Sequence, residues 1–163
     1  MPGNTTFRNP TQQAADTGGD GNGFEVTPTN AFADDGSPAR NANGAGDRHR
    51  FYGYGLSVPS GCAVKGLEVL LDWKLGNTQG TSSMSVELSS DGGATWTVAK
   101  TDTVETGSFH QTTLGDPADL WGRSWAPADV GNGGFRVRVR CDSTATGKDF
   151  FLDWVPVRVT YGP

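Results

Sequence analysis

The segment LSSDGGATWT carries the most specific chemical pattern in the chain. Ser89, Asp91, Gly93, Thr95 and Trp96 have the spacing of the motif called an Asp box. The side-chain oxygens of Ser89 and Asp91 can accept hydrogen bonds from backbone N–H groups of a tight turn, and Gly93 allows a positive φ. Trp96 can pack back across the hairpin. Because each residue has a local role, we predict a stapled hairpin turn rather than a ligand site.

The other polar residues give no catalytic pattern. His49 and His110 are the only histidines, and no serine-hydrolase, zinc-protease or phosphate-loop motif occurs. Asp34 and Asp35 precede Gly36 in a predicted turn, where aspartate caps backbone groups more often than it transfers protons. We therefore predict that the chain is not an enzyme and requires no cofactor.

The segment DTGGDGNGFE offers a candidate metal site. It brings four oxygen-bearing side chains close in sequence, and its glycines would let backbone carbonyls turn inward. Such a set suits Ca²⁺, which takes six to eight oxygen ligands. The alternative is a solvated loop rich in turn residues. The candidate ligands of a structural Ca²⁺ are Asp16, Asp20, Asn22 and Glu25.

Aromatic residues give a candidate surface for a glycan or a partner. Trp121 and Trp125 flank Arg123 in the segment DLWGRSWAPADV, and Tyr52 and Tyr54 lie on an earlier predicted strand. Exposed rings of this kind stack on sugar rings. The alternative is that the tryptophan side chains are buried at one end of the fold, beneath a long loop.

A row of arginines alternates with apolar residues in the segment FRVRVRC. Arg136, Arg138 and Arg140 share one face of this predicted strand. They can contact an acidic partner or pair with carboxylates on neighbouring strands, and the acidity of the whole chain favours pairing within the chain. The candidate carboxylates are Glu68, Asp72 and Glu87.

Composition limits the classes of function. The chain has 163 residues, a formal net charge of -5 and an estimated pI of 4.8, which argues against a nucleic-acid binder. No apolar run is long enough for a membrane helix, and the N-terminus lacks the features of a secretory signal. A composition rich in Gly, Thr, Ser, Asn and Asp is typical of proteins that work outside cells, so we expect an extracellular location.

Alternation of apolar and polar residues predicts an all-β fold. The segment 63–75 alternates most clearly, and the segment 50–58 places Tyr52, Tyr54 and Leu56 on one face. In the last segment, 149–161, the apolar face changes, which predicts a bulge near residues 154–156. We expect a two-sheet antiparallel β-sandwich of the jelly-roll type, with about eight to nine strands.

Two further expectations concern the domain boundary and the cysteines. Residues 1–22 are polar and rich in Gly, Asn and Thr, so we predict an extended N-terminal arm before a sandwich domain over residues 23–163. Cys62 and Cys141 each lie at the end of an apolar strand. They form either a disulfide between neighbouring strands or two buried free thiols.

Three long segments resemble a known group of domains. FYGYGLSVPSGCAVKGLEVLLDWK, DPADLWGRSWAPADVGNGGFRVRV and DFFLDWVPVRVTY resemble a β-sandwich domain of bacteriophage structural proteins and metagenomic surface proteins. The resemblance implies a non-enzymatic decoration, capsid-associated or tail-appendage protein of a virion, or a surface-layer component. Such a protein would self-associate as a homo-oligomer through its sandwich and its N-terminal arm.

The closing segment also resembles a second group. FFLDWVPV is similar to the last strand of jelly-roll carbohydrate-binding modules, which often hold a structural Ca²⁺. This resemblance implies the alternative function, a secreted module that binds polysaccharide through exposed Trp and Tyr rings. Fold-level similarity of this kind does not decide function.

Overall fold

The computed structural model describes residues 2–163, and these residues form eleven strands and two short 3₁₀ helices, Pro28–Ala31 and Pro127–Val130. None of the described helices has the length and apolar character needed to cross a membrane. The strands are β1 (Gly3–Asn4), β2 (Gln12–Asp16), β3 (Ala39–Asn41), β4 (Arg48–Tyr52), β5 (Ala63–Leu75), β6 (Ser82–Ser89), β7 (Lys100–Asp102), β8 (His110–Gly115), β9 (Arg136–Ser143), β10 (Phe150–Trp154) and β11 (Val157–Gly162).

The strands are arranged in two antiparallel sheets. The first sheet has the order β1-β11-β5-β10-β3, and β8 also pairs with β5. The second sheet has the order β2-β4-β9-β6-β7. This arrangement confirms the predicted all-β, two-sheet sandwich. The strand number exceeds the expected eight to nine because several short strands, such as β1 and β3, are too brief to show an alternating pattern.

The core lies between the inner faces of the two sheets. On β5 the predicted inward residues from Leu67 to Leu75 are all at most 1% exposed. They face the apolar residues of β6 and β9 across the sandwich, including Val86 and Val139. The alternating pattern therefore placed the core correctly, because every second side chain of a strand points to the same side.

Strand β4 differs from its expected register. Phe51 is fully buried, whereas Tyr52 faces outward with Arg48 and Arg50. The strand ends at Tyr52, and Gly53 follows with a φ of +73°. Beyond this left-handed residue the chain turns, so Tyr54 enters the core from a loop and no longer shares a face with Tyr52.

The predicted bulge in the last segment is present, one residue earlier than expected. Leu152 pairs with Trp73, and Trp154 pairs with Asp72, so Asp153 is the extra residue. The insertion moves every following side chain to the opposite face, which brings Val157 back into the core. The bulge also directs the Asp153 carboxylate toward a loop, because its oxygen accepts a hydrogen bond from the Gly36 N–H at 2.9 Å.

The N-terminal segment differs from the predicted extended arm. Met1 lies outside the described residues. Within residues 2–22, β1 pairs with β11 at one edge of the first sheet, and β2 pairs with β4 at the edge of the second. The backbone hydrogen bonds of these ladders hold the segment, although its polar composition gives no signal for them. Residues 3–4 and 12–16 of the segment therefore belong to the sheets of the sandwich.

The two cysteines are free thiols rather than a disulfide. Cys141 is buried on β9 of the second sheet, whereas Cys62 is partly exposed in the turn that precedes β5 of the first sheet. Of the two alternatives, the structure therefore has free thiols, although only Cys141 is buried.

Candidate ligand-binding face

The Asp box forms a tightly bonded turn in the loop between β6 and β7. The Ser89 hydroxyl donates to Asp91 Oδ1 at 2.7 Å and accepts the Gly93 N–H at 2.9 Å. The Thr95 N–H donates to Asp91 Oδ1 at 2.9 Å, and its hydroxyl donates to Oδ2 at 2.6 Å. The bonds from Thr95 contribute most, and together with the bond from Ser89 they hold the pKa of the Asp91 carboxyl well below its usual range. The predicted local roles of these side chains thus correspond to actual contacts.

Trp96 takes a position that the sequence pattern does not indicate. Its ring lies over two guanidinium groups on the outer face of the second sheet, with Arg138 Cζ at 4.0 Å and Arg50 Cζ at 5.3 Å from the ring centroid. Gly93 makes this approach feasible, since a Cβ atom there would meet the side chains of Arg50 and Trp96. The ring remains partly exposed to solvent.

The register of the second sheet brings five arginines onto this same outer face. Tyr52 pairs with Arg136, Arg50 with Arg138, and Arg48 with Arg140. Arg136 Cζ lies 4.2 Å from the centroid of the Tyr52 ring. We call this surface the arginine face, and it consists of Arg48, Arg50, Tyr52, Trp96, Arg136, Arg138 and Arg140.

Two carboxylates fix the centre of the arginine face. Asp16 of β2 accepts from Arg50 at 2.9 Å and from Arg138 at 3.3 Å, and Glu87 of β6 accepts from Arg138 at 2.8 Å. Burial raises the pKa of the Asp16 carboxyl, but the bonds from Arg50, the Thr17 N–H and Arg138 outweigh burial and lower that pKa to about 2. The predicted pairing of the arginine row within the chain is therefore present for Glu87. Glu68 pairs instead with Arg158 on the first sheet.

A groove of about 490 Å³ adjoins one end of the arginine face. Asp142 lines the groove, and Arg140 of the arginine face donates to its carboxylate at 3.0 Å. Five of the other lining residues are Ser or Thr, but the hydroxyls of Ser82 and Ser143 bond to each other at 2.9 Å, and the Thr144 hydroxyl accepts the Thr81 N–H at 2.9 Å. The residues that line the groove are Ala45, Gly46, Thr81, Ser82, Ser83, Asp142, Ser143 and Thr144.

The aromatic residues predicted as exposed platforms are mostly buried. Trp121 is 3% exposed and donates its indole N–H to the Leu67 carbonyl, and Trp125 is 5% exposed and donates to the Leu120 carbonyl. Tyr54 is 4% exposed. All three belong to the hydrophobic core, so none of them presents a ring face to a ligand.

Tyr52 and Arg123 are the predicted contact residues that remain at the surface. Tyr52 lies on the arginine face, as described above. Arg123 is engaged within the chain, because it donates to the Ser90 hydroxyl at 2.6 Å and to Asp129 at 3.1 Å while it covers the Trp125 ring. Of the sugar-contact residues that the sequence suggested, only Tyr52 belongs to an open face.

The predicted Ca²⁺ ligands do not converge. Asp16 is committed to the two arginines, and Asp20 accepts from the amide of Asn22 at 3.0 Å. Glu25 accepts the Ala42 N–H at 3.0 Å. Over residues 2–163, their carboxylates do not form a group close enough to share an ion.

A different acidic cluster has the geometry of a metal site. Ligand atoms of Asp34, Asp72 and Asp153 all lie within 4.8 Å of one another. Asp72 comes from β5, Asp153 from the bulge of β10, and Asp34 from the loop that follows the first 3₁₀ helix. We call this group the aspartate cluster.

The two inner carboxylates of the aspartate cluster each have an unsatisfied oxygen. Asp72 and Asp153 are 6% and 2% exposed, and Oδ1 of each has no hydrogen-bond partner among the described residues. Burial first, and then neighbouring carboxylates including Asp34, raise the pKa of both groups. Ligands on opposite sides of Ca²⁺ are about 4.6–5.2 Å apart, so this donor set fits a Ca²⁺ ion.

Sequence reasoning missed this cluster because its members are far apart in the chain. Asp34 was assigned to a capped turn, and the Gly36 N–H of that turn does donate to Asp153. The register defect in the last segment was the available signal, since a bulge re-aims a side chain.

Both histidines are bonded inside the fold. His49 is 2% exposed, and its Nδ1 accepts the Phe24 N–H at 3.0 Å. Burial lowers the pKa of His49 to about 4, although Asp16 opposes this shift. His110 bonds to Asp102 at 2.9 Å, and Asp102 also accepts from the Trp73 indole at 2.8 Å. These contacts join strands to one another.

Comparisons with solved structures agree with the sandwich fold. No profile of a known family and no curated protein sequence matches the chain. The structure of truncated AlyQ with CBM32 and alginate lyase domains is similar, with a TM-score of 0.56 and 16% identity, and the match covers 100% of this chain and 35% of that one. The K3 cleaved adhesin domain of Lys-gingipain from Porphyromonas gingivalis is similar, with a TM-score of 0.50 and 16% identity over 98% of this chain and 99% of that domain.

These similarities show the fold. The chain spans about a third of the length of the AlyQ structure, and its identity to both proteins is low. The AlyQ structure includes a CBM32 domain, and a short resemblance to carbohydrate-binding modules was also found in FFLDWVPV. The resemblance to bacteriophage structural proteins stays a prediction.

Proposed function

We propose that the chain is a non-catalytic module that binds a glycan on the arginine face. The observation that carries this proposal is the row of partly exposed rings and guanidinium groups on this face, which adjoins a groove. Sugar hydroxyls need several directional hydrogen-bond partners, and the C–H faces of sugar rings stack on aromatic planes. The arginine face and the groove together offer both kinds of contact.

The arginine face is held in place before any ligand binds. Arg138 forms ion pairs with Asp16 and Glu87, and its guanidinium group lies against the Trp96 ring. The Asp box fixes the loop that carries Trp96. Because little side-chain freedom remains to be lost, binding would have a smaller entropic cost. The similarity to a structure with a CBM32 domain is consistent with this function by analogy only.

Retention on immobilised polysaccharides tests the proposal. A broad panel of plant, algal and bacterial polysaccharides is screened with the wild-type chain, Trp96→Ala and Phe109→Ala. Phe109 is a matched control, because it is an exposed aromatic residue, at 37% exposure, beside Lys74 and the outer face of the first sheet. We expect one or more polysaccharides to retain the wild-type chain and Phe109→Ala but not Trp96→Ala. Failure of the whole panel to retain the wild-type chain would refute the function.

We also propose that the aspartate cluster holds a structural Ca²⁺ ion. The buried, unpartnered oxygens of Asp72 and Asp153 support this proposal, since an uncompensated buried carboxylate is costly without a cation or a proton. Asp34 would supply the third side-chain ligand. The role of the ion would be to join the loop around Gly36 to the first sheet, and it would have no part in a reaction.

The self-associating virion component stays a prediction of the sequence. Its proposed means of reaching a neighbour was the N-terminal arm, and residues 3–4 and 12–16 pair within the sandwich. Light scattering of the purified chain would test it. A single monomer mass at high protein concentration would count against self-association.

A further inference from the structure

We infer that the arginine face recognises an acidic polysaccharide, one whose sugar units carry carboxylates. This inference rests on the proposed glycan-binding function and names its class of ligand. It follows from the charge of the face, from the unpaired donors at its two ends and from their spacing.

The outer face of the second sheet has an excess of positive charge. Five guanidinium groups lie on β4 and β9, and the outward carboxylates of β2, β6 and β9 are three, namely Asp16, Glu87 and Asp142. Two positive charges are therefore uncompensated on this face, although the whole chain has a formal net charge of -5. A local field of opposite sign to the rest of the molecule attracts a ligand of negative charge to this face alone.

The uncompensated charges lie at the two ends of the row. Within residues 2–163, neither Arg48 nor Arg136 has a carboxylate at ion-pair distance. Arg136 bonds only to the carbonyl oxygens of Asn132 and Phe135, both through one terminal nitrogen. The Nε atom of Arg48 is buried, so a ligand could reach this side chain only through its terminal nitrogens. Guanidinium groups with unused donors bind carboxylates through paired hydrogen bonds.

The spacing of the donors suits an extended polymer. Arg136 and Arg140 are four residues apart on β9, and a strand rises about 3.3 Å for each residue, so their Cα atoms are about 13 Å apart. The Tyr52 ring lies beside Arg136 at one end, the Trp96 ring lies over Arg138 between the ends, and the groove lies beyond Arg140. A single small anion would occupy one end only, whereas a chain of sugars can contact both ends and the rings between them.

Charge density favours an acidic polysaccharide over a nucleic acid. Duplex DNA carries about one charge for each 1.7 Å of axis, and proteins that bind it present extended basic surfaces. Here only two surplus positive charges lie on the arginine face. The rest of the chain is acidic and would repel such a dense polyanion. A uronate-containing polymer carries one carboxylate on each uronate unit and presents hydroxyls between these carboxylates, which fits a row of arginines of limited excess charge.

A paired set of polymers tests the inference. Polygalacturonate, alginate and hyaluronan are each compared with their carboxyl-reduced forms, and oligothymidylate serves as an anion without sugar-chain hydroxyls of this kind. Affinities are measured by calorimetry for the wild-type chain, for Arg136→Gln and for Arg40→Gln. Arg40 is a matched control, since its side chain is 44% exposed and it lies on the first sheet. Thermal melting verifies that each variant is folded.

We expect at least one uronate polymer to bind. Its carboxyl-reduced form should bind at least tenfold more weakly, and added salt should weaken the binding of the acidic form. Arg136→Gln should weaken binding by roughly tenfold, as the loss of a charge-assisted hydrogen bond does, and Arg40→Gln should not. If the carboxyl-reduced forms bind as tightly as the acidic polymers, or if a neutral glycan binds more tightly than they do, this inference is overturned. The glycan-binding function would then remain intact. Equal affinity for oligothymidylate would overturn it in favour of a general polyanion site. Absence of binding to any glycan, acidic or neutral, would refute both proposals.

Discussion

The Cζ atom of Arg138 lies 4.0 Å from the centre of the Trp96 ring. This contact joins the loop between β6 and β7 to the outer face of the second sheet, because Arg138 is itself bonded to Glu87 and Asp16. The Asp box and the arginine row, which are separate patterns in the sequence, are therefore parts of one surface. The hydrogen bonds of the Asp box hold the loop that carries Trp96.

The Asp91→Ala variant should lower the melting temperature by loosening the turn. The Asp91 carboxylate accepts from Ser89 and twice from Thr95, and these bonds are lost together. Because its pKa is lowered in the folded state, this stabilisation is present above the ordinary carboxyl pKa and is lost as the pH falls. Thermal melting at pH 7 and pH 3 measures it. An unchanged melting temperature at pH 7 would show that the hydrogen bonds of Asp91 do not stabilise the turn.

The Asp16→Asn variant should reveal acid-dependent stability. Asp16 is 7% exposed, and its pKa falls from 3.8 to about 2 on folding, which corresponds to about 2 kcal/mol of stability at neutral pH. This contribution is complete above about pH 5 and is lost as the pH falls toward 2. Urea denaturation of the wild type and the variant should therefore differ most at pH 7 and least near pH 2. A difference for Asp16→Asn that stays constant with pH would contradict the ion-pair assignment.

Added Ca²⁺ should raise the melting temperature of the wild-type chain at pH 7. Stabilisation through binding to the folded state amounts to about 2.7 kcal/mol at a ligand concentration of one hundred times Kd. Asp153→Asn should abolish the shift, whereas Asp116→Asn should keep it. A shift that persists in Asp153→Asn would place the ion elsewhere.

The same site should respond to pH without Ca²⁺. The pKa values of Asp72 and Asp153 are raised, so the folded state keeps protons that the unfolded state has lost. Stability in a chelator should therefore fall as the pH rises above the ordinary carboxyl pKa. Protons also compete with the ion, so the Ca²⁺ shift should be smaller at pH 4 than at pH 7. A Ca²⁺ shift that is larger at pH 4 would contradict binding by these carboxylates.

The two thiols should differ in reactivity. Cys62 is partly exposed, whereas Cys141 is fully buried, and burial raises the pKa of its thiol. A thiol reagent should modify one cysteine in the native protein and both after denaturation. Mass spectrometry of the labelled peptides identifies which one reacts. Two unreactive cysteines that become labelled only after reduction would indicate a disulfide.

The fold was accessible to sequence reasoning where residues alternate over a long segment. The pattern of β5 and the register change at Asp153 each follow from side chains that must point into one core. The strands at the sheet edges were not accessible, because β1 and β2 are stabilised by backbone hydrogen bonds that any side chain permits.

The candidate site was accessible only in part. The arginine row of β9 follows from alternation, but its neighbours on β4 depend on a register that no local pattern specifies. Trp121 and Trp125 suggested sugar platforms by residue type, and burial in the core overrides that suggestion. The aspartate cluster joins residues from three distant parts of the chain, so it follows only from the topology.

Mapping of a bound glycan by NMR tests the central claim most directly. The labelled wild-type chain is titrated with an oligosaccharide of the polymer that it retains, and the indole N–H signals of the tryptophans are followed. The account predicts large shifts for the Trp96 indole and for the amides of β4 and β9, with little change at Trp121, which is buried. Shifts confined to the outer face of the first sheet, around Phe109 and Phe151, would contradict it.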